Sequence, residues 1–434
     1  MSKLRETIET RTAKVAVMGQ GYVGLPLAME FAKVGFSVTG IELDVEKVTA
    51  LNAGESYIPD IPRAVVRELV AAGRYRAVSE MDVLEECDVI LICVPTPLRK
   101  TKDPDISFVL AAATEVNRRL RPGQLIVLES TTYPGTTEEM LLPMLAAGGL
   151  KVGRDFFLAF SPERIDPGNA QFKVRDIPKV VGGISAECTE MARLLYVQIV
   201  SSVLGVSTPT VAELAKLYEN TFRSVNIALA NEFALMCRCL GVSVWEVIEA
   251  AATKPFGFMP FSPGPGIGGH CIPIDPIYLS WKLRLNGYEA RFIALADDIN
   301  RSMPLQVVKL VIEGLNTRKK CLNGAQILLL GVAYKRGVGD VRESPALDVI
   351  KELHQKGAQV VYTDPFVGKL EHGGLALPQV ELTADLIRRQ DAVVVLTDHG
   401  EFDYRLVVEH ADLVVDARNA TKGIPSVEGR IIRL

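Results

Sequence analysis

No stretch of this sequence approaches the about 20 consecutive apolar residues that a membrane-spanning helix needs. The longest apolar runs, residues 89–94 and 327–332, are strand-sized. A basic excess is missing as well: 48 Lys and Arg stand against 52 Asp and Glu, a net charge of -4. That balance argues against nucleic acid as a partner, yet leaves room for an anionic small molecule held by a few local cations. Histidine is scarce, with five residues and none at ligand spacing, so no metal site is expected. The seven cysteines are odd in number and lack a framework spacing, which fits reduced thiols in the cytoplasm. Cys237 and Cys239, two apart in a helical stretch, face different ways and make a poor metal pair. Residues 1–14 are charged and contain no apolar signal core, so secretion is not expected.

What is present is an ordinary globular composition, 48% hydrophobic and 23% charged, in 434 residues. That length exceeds one core and predicts two or three domains. Residues 14–18 form a short buried strand, followed at once by Gly19-Gln20-Gly21-Tyr22-Val23-Gly24 and a helical stretch to Val34. This is the dinucleotide fingerprint in its strand–turn–helix setting. Gly19 permits the turn, Gly21 lets the backbone approach a pyrophosphate, and Gly24 lets helix and strand pack closely. The helix start offers free N–H groups to the phosphates. Glu42 follows about 20 residues on, at the end of the next strand, where a carboxylate binds the ribose and repels a 2′-phosphate. NAD is therefore expected rather than NADP. Asp44 could share that task or cap the helix after it. Tyr22, Val23 and Lys47 complete the cofactor candidates here.

Further strands over residues 88–94, 125–129 and 156–160 predict a doubly wound α/β domain. Their polar ends should line the ligand crevice. Pro95 and Thr96 follow the first, Thr131 the second, and Glu163 and Arg164 the third. The Thr131 hydroxyl has two readings, a cap for the next helix or a group near the nicotinamide. Thr208-Pro209 then opens a helix that runs to Leu240, with Gly241 as its stop. At about 1.5 Å per residue it spans about 50 Å. Its apolar residues Val211, Leu214, Phe222, Val225, Leu229, Phe233 and Met236 are expected to be buried, while Lys216, Asn220 and Arg223 share a polar face. Residues 325–330, 359–363, 391–396 and 413–415 predict a second Rossmann-like sheet. There the glycine fingerprint gives way to a basic loop with Lys335, Arg336 and Arg342, read as a substrate-side nucleotide site.

The segment Phe261-Ser262-Pro263-Gly264-Pro265-Gly266-Ile267-Gly268-Gly269-His270-Cys271-Ile272-Pro273-Ile274-Asp275 carries the most information. Glycine and proline there impose an unusual backbone path and would let a ligand come close. A thiol in such a setting reads as a nucleophile. Joined to a hydride acceptor, it suits oxidation to the acid level.

With the Gly19–Gly24 fingerprint, Glu213 to Asn220, Gly268 to Asp275 and Lys335 to Pro345, the chain resembles the UDP-glucose/GDP-mannose dehydrogenase family over essentially its whole length. The resemblance implies two Rossmann-like doubly wound domains joined by a long central helix that also forms a dimer interface. It divides the chain into a cofactor domain at 1–206, a central dimerisation and cysteine region at 207–316, and a UDP-sugar domain at 317–434. It implies two successive NAD-dependent oxidations of a sugar-nucleotide C6 alcohol, supplying surface-polysaccharide precursors. By the same resemblance Cys271 is the nucleophile, Lys216 the oxyanion stabiliser, Asn220 a substrate ligand and Asp275 the partner that activates water. Thr131 and Glu163 lie beside the reacting carbon, Lys335 contacts substrate and Arg342 contacts cofactor. Arg164, Arg223, Phe261, Gly264 and Gly268 join the substrate set. His270 and Ile274 replace the Ser and Lys of the UDP-glucose branch, which makes the segment similar to enzymes of UDP-N-acetylhexosamines. Among these, UDP-N-acetylglucosamine is the first expectation, with the manno and galacto epimers and UDP-glucose as alternatives. Lys254 stands where the UDP-glucose branch carries an Arg that reaches the neighbouring subunit, and Lys cannot form that bidentate fork. A one-step NAD-dependent dehydrogenase would need neither the thiol nor a second Rossmann-like domain. A non-catalytic NAD sensor would not need Lys216, Asn220, Cys271 and Asp275 together.

Overall fold

The computed structural model describes residues 2–58, 60–99, 101–165, 174–372 and 374–434. The chain divides into two compact units, one of residues 1–219 with 277–287, the other of 220–276 with 288–434. In the first unit eight strands run through the sheet in the order β3-β2-β1-β4-β5-β6-β7-β8. They are β1 (Lys14–Met18), β2 (Ser37–Ile41), β3 (Tyr75–Val78), β4 (Val89–Ile92), β5 (Leu125–Leu128), β6 (Phe157–Phe160), β7 (Lys179–Gly183) and β8 (Val203–Val206). Strand β7 runs antiparallel to β6, and the other pairings are parallel. The first six strands have the order of a dinucleotide-binding fold, which puts the ligand crevice beyond the ends of β1 and β4.

Strand residues in this sheet serve two cores. Val15 and Val17 join one hydrophobic cluster, whereas Ala16 and Met18 join another, so both faces of the sheet are covered. The same alternation builds the second unit, whose sheet order is β10-β9-β13-β14-β15. Its strands are β9 (Gln326–Leu330), β10 (Gln359–Thr363), β13 (Ala392–Val395), β14 (Val414–Asp416) and β15 (Ile431–Arg433), all parallel. A small antiparallel pair, β11 (Leu370–His372) and β12 (Leu375–Leu377), is separate from it. Ile327 and Leu329 pack on one side with Trp245 and Val311, and Leu328 and Leu330 on the other with Ile387 and Val407.

The long helix spans Pro209–Leu240, with Gly241 at φ +70 as its stop. The expected burial of its apolar stripe is not met. Val211, Leu214, Phe222, Leu229, Phe233 and Met236 are all exposed, between 37% and 58%. The periodicity marks a face fit to be covered, and the described residues of the same chain cover it only in part, as where Phe261 meets Phe222 and Val225 is half-buried. No helix among the described residues is long and apolar enough to cross a membrane.

The glycine turn after β1 is set by contact. A Cβ on Gly24 would lie 1.9 Å from the Gly19 carbonyl oxygen. Backbone cannot yield as a side-chain tip can, so Gly24→Ala is expected to destabilise the first unit by about 3 kcal/mol. Thermal unfolding, followed with and without NAD, checks it.

Candidate active site

The crevice beyond β1 and β4 fits a dinucleotide. Gly19 stands at φ +89, its N–H donating to Ile41 O at 2.8 Å, while a Cβ on Gly21 would meet nothing within 4 Å. That open backbone at the helix start is the approach a pyrophosphate needs. Glu42 accepts the Gln20 N–H at 3.1 Å and the Asp44 N–H at 3.2 Å, which fixes its carboxylate at the end of β2. Asp44 takes the capping role: its carboxylate accepts the N–H groups of Glu46 and Lys47 at the start of Val45–Asn52. Lys47 pairs with Asp44 at 3.6 Å and stands over the Tyr57 ring. Tyr22 is exposed and Val23 precedes helix Gly24–Lys33. Sequence reading passed over Gln20, yet it is fully buried and holds this turn. Its amide donates to Val17 O at 2.8 Å and accepts the Tyr75 hydroxyl at 2.8 Å, and its own carbonyl accepts Tyr57 at 2.6 Å.

Beyond β4 and β5 the polar turns are fastened rather than loose. The Tyr278 hydroxyl donates to Thr96 O at 2.6 Å and anchors the turn that carries Pro95 and Thr96. Thr131 hydrogen-bonds Lys216 through its hydroxyl. The next helical segment, Thr136–Leu141, begins at Gly135 with no side-chain cap, so Thr131 is not its cap. Glu213, one turn before Lys216, is buried and accepts Gly135 N at 2.6 Å, Thr137 N at 3.0 Å and Thr137 Oγ1 at 2.7 Å. Burial raises its pKa, and the three donors oppose that rise.

Glu163 is likewise buried and its oxygens are engaged. One accepts the N–H of Arg164 at 2.7 Å and of Ile165 at 2.8 Å, while the other accepts the Lys179 ammonium at 2.9 Å. Burial by itself would raise its pKa, but Lys179 and the two amides hold it below the usual carboxylate value. Arg164 turns its guanidinium to Glu219, at 2.6 and 3.1 Å, and to Pro178 O at 2.7 Å.

In the second unit Asn220, Asp275 and Cys271 are brought together. The Asn220 amide donates to the Asp275 carboxylate at 2.6 Å, and the Asp275 N–H donates to Cys271 O at 2.8 Å. Asp275 is buried and Cys271 exposed, in the turn that opens helix Asp275–Leu285. At Gly268 and Gly269 the segment packs closely against the protein's own loop. A Cβ on Gly268 would lie 2.6 Å from Tyr334 Cβ and 2.7 Å from Glu343 O, and Gly269 adopts φ +86 against the Tyr334 ring. The basic loop therefore packs on the cysteine segment. Arg342 forms a bidentate pair with Asp340, its Nε 3.0 Å and its Nη2 2.8 Å from the carboxylate oxygens. Lys335 is half-buried, and Arg336 is exposed, 4.0 Å from Asp398. Gly264 N donates to Asn231 Oδ1 at 2.9 Å, and Asn231 donates to Asn300 at 2.9 Å. This buried amide pair, unread in the sequence, ties the segment to the long helix. Phe261 meets Phe222 edge-on at 5.8 Å, and Arg223 is exposed.

Glu42 generates a prediction for cofactor choice. Glu42→Ala is expected to narrow the preference for NAD over NADP by about tenfold or more, whereas Asp44→Ala mainly loosens a helix start. Initial rates with both cofactors measure it, and equal wild-type efficiency with NADP would place Glu42 away from the ribose.

Three family models match in succession. They are the NAD binding domain of the UDP-glucose/GDP-mannose dehydrogenase family over residues 13–200, its central domain over 210–302 and its UDP binding domain over 328–423. The chain is 37% identical to UDP-N-acetyl-D-glucosamine 6-dehydrogenase of Pseudomonas aeruginosa, covering 82% of this chain and 83% of that protein. It is 36% identical to UDP-N-acetyl-D-mannosamine dehydrogenase of Pyrococcus horikoshii, covering 95% and 97%. The solved structure of a UDP-D-ManNAc dehydrogenase from Pyrococcus horikoshii superposes with a TM-score of 0.88 at 34% identity, covering 97% of this chain and 98% of that one. Together with the glycine turn, the fixed Glu42 and the Asn220–Asp275–Cys271 arrangement, these matches establish that the chain belongs to the UDP-glucose/GDP-mannose dehydrogenase family, as an NAD-dependent oxidoreductase of UDP-sugars.

Proposed function

We propose that this chain oxidises C6 of a UDP-N-acetylhexosamine, UDP-N-acetylglucosamine first among them, to the carboxylate through an adduct on Cys271. The observation that carries this reading is the hydrogen-bonded run from Asn220 through Asp275 to the backbone of an exposed Cys271. NAD, when bound, would supply the oxidant at both stages, one molecule taking a hydride as the C6 alcohol becomes the aldehyde and a second as the thiohemiacetal becomes the thioester. The Cys271 thiolate adds to the C6 aldehyde and holds that carbon as a thiohemiacetal. The oxidised adduct is a thioester, and water releases the carboxylate and restores the thiol. Asp275, oriented by Asn220, is suited to accept the proton of the attacking water. Lys216, held by Thr131, is suited to steady the oxyanion formed at each addition. Lys335, Phe261, Gly264 and Gly268 are assigned to the sugar nucleotide, with Arg223 at its margin, and Arg342 to the cofactor. UDP-N-acetylmannosamine is the second reading, supported by the relatives that carry that name.

The exposed stripe of the long helix supports a homodimer. From Val211 to Leu240 its apolar residues recur at three- and four-residue steps, the spacing of a face that packs on a second helix. Leu229→Glu is expected to lower the mass seen by light scattering to that of one chain. A wild type that is already monomeric would remove the dimer.

Stoichiometry tests the chemistry. Wild type is expected to form two NADH per sugar acid with little free aldehyde, on a panel of UDP-hexosamines that also ranks the epimers. Cys271→Ala is expected to lose acid formation by roughly a thousandfold or more, and Asp275→Asn to accumulate a sugar-mass adduct on the Cys271 peptide. Acid production by Cys271→Ala at near the wild-type rate would end the covalent mechanism.

A further inference from the structure

A buried ionic cluster lies in the first unit, and the mechanism proposed above gives it no step, although the family resemblance sets one member, Glu163, beside the reacting carbon. Lys179, the first residue of β7, is 5% exposed and extends its ammonium between two carboxylates, Glu129 at 2.7 Å and Glu163 at 2.9 Å. Glu129 follows β5 directly, is 1% exposed, and accepts the Tyr196 hydroxyl through its other oxygen. The Lys179 ammonium also stands 5.2 Å from the Tyr196 ring centroid and 3.4 Å from Pro162 O. Burial alone would drive Lys179 toward its neutral form, but the two carboxylates reverse this and keep it charged. Burial, together with the charge of Glu163, pushes Glu129 up.

The cluster joins two segments that reach toward the long helix. Two residues after Glu129, Thr131 hydrogen-bonds Lys216. One residue after Glu163, Arg164 pairs with Glu219. Lys216 and Glu219 are three apart and share a helix face. A buried charge held on both sides by hydrogen-bonded carboxylates has one geometry, unlike a surface pair.

We propose that Lys179 is a positioning residue for the oxidation: by clamping Glu129 to Glu163 it fixes where the Thr131 and Arg164 segments hold the Lys216 face of the long helix. Glu163 acts in this clamp and not as a proton carrier, since three donors already occupy its oxygens. The inference rests on the assignment of Lys216 and Thr131 to the reacting site. It is therefore measured relative to wild type on whichever UDP-sugar wild type oxidises, and a wild type that makes no acid would sink that assignment instead.

Removing Lys179 alone leaves two buried carboxylates without a cation, which risks the fold. The informative variants are Lys179→Arg and the double change Lys179→Met with Glu129→Gln, which preserves the cluster's net charge. The double variant is expected to keep its thermal midpoint, with NAD affinity and sugar KM within about threefold, while kcat falls by roughly tenfold to a hundredfold. Lys179→Arg is expected to recover most of that loss. Glu163→Gln is expected to keep both limbs of the kcat/KM pH profile. Unchanged kcat in the double variant would overturn the proposal. So would a fall in kcat that merely tracks lost thermal midpoint and NAD affinity, or the disappearance of a pH limb in Glu163→Gln. Should the double variant not fold, Glu129→Gln alone decides: reduced kcat at an unchanged midpoint supports the clamp, and wild-type kinetics removes it.

Discussion

A carboxylate buried without enough donors would give up its charge, and Glu213 keeps three donors from one short turn. Gly135 N, Thr137 N and Thr137 Oγ1 all converge on it, from 2.6 to 3.0 Å. The turn after β5 is thereby fixed to the start of the long helix, one turn before Lys216. Thr131, four residues before Gly135, completes the link through its hydroxyl on the Lys216 ammonium. A hydrogen bond to a buried charge is stronger and more directional than one at the surface. The placement of the Lys216 ammonium follows from this attachment.

The two units solve similar problems with different chemistry. Each sheet buries alternate strand residues in separate cores, so strands such as Val89–Ile92 and Ala392–Val395 are apolar throughout. The first unit spends its glycines on an open backbone at a helix start. The second brings Tyr334 and the Glu343 carbonyl against Gly268, which leaves room for no side chain there. In the proposed mechanism, close packing at Gly268 and Gly269 would help present the neighbouring Cys271 to a carbonyl. Its neighbour Asp275 is buried and bonded to Asn220, which sets the orientation of the acid before substrate arrives.

Membership of a family that oxidises nucleotide sugars gives the thiol a clear use. An aldehyde has no hydroxyl to deprotonate and is a poor hydride donor until a nucleophile adds to it. In the proposed mechanism Cys271 supplies that adduct and then leaves readily when water attacks the thioester. Histidine, scarce in this chain, takes no part in that account. In the proposed mechanism polar work falls instead to Lys216, Asp275, Asn220 and Thr131, which are held by hydrogen bonds.

The sequence by itself determined the elements whose signals are local. The Gly19–Gly24 turn, the helix from Pro209 to Leu240 and the cysteine segment each follow from backbone chemistry within a few residues. The strands at β1, β2, β4, β5, β6, β9, β10, β13 and β14 were legible as apolar runs. Strands β3 and β8 were not, because Tyr75–Val78 carries an exposed Arg76 and Val203–Val206 is largely exposed. Tertiary structure alone decided the rest, since contacts such as Gln20 with Tyr75, Asn231 with Gly264 and Lys179 with Glu129 and Glu163 join residues far apart in sequence. It also decided that most of the apolar face of the long helix is left exposed by the described residues of one chain. Periodicity records that a surface prefers to leave water, and only the arrangement of the other elements determines whether they cover it.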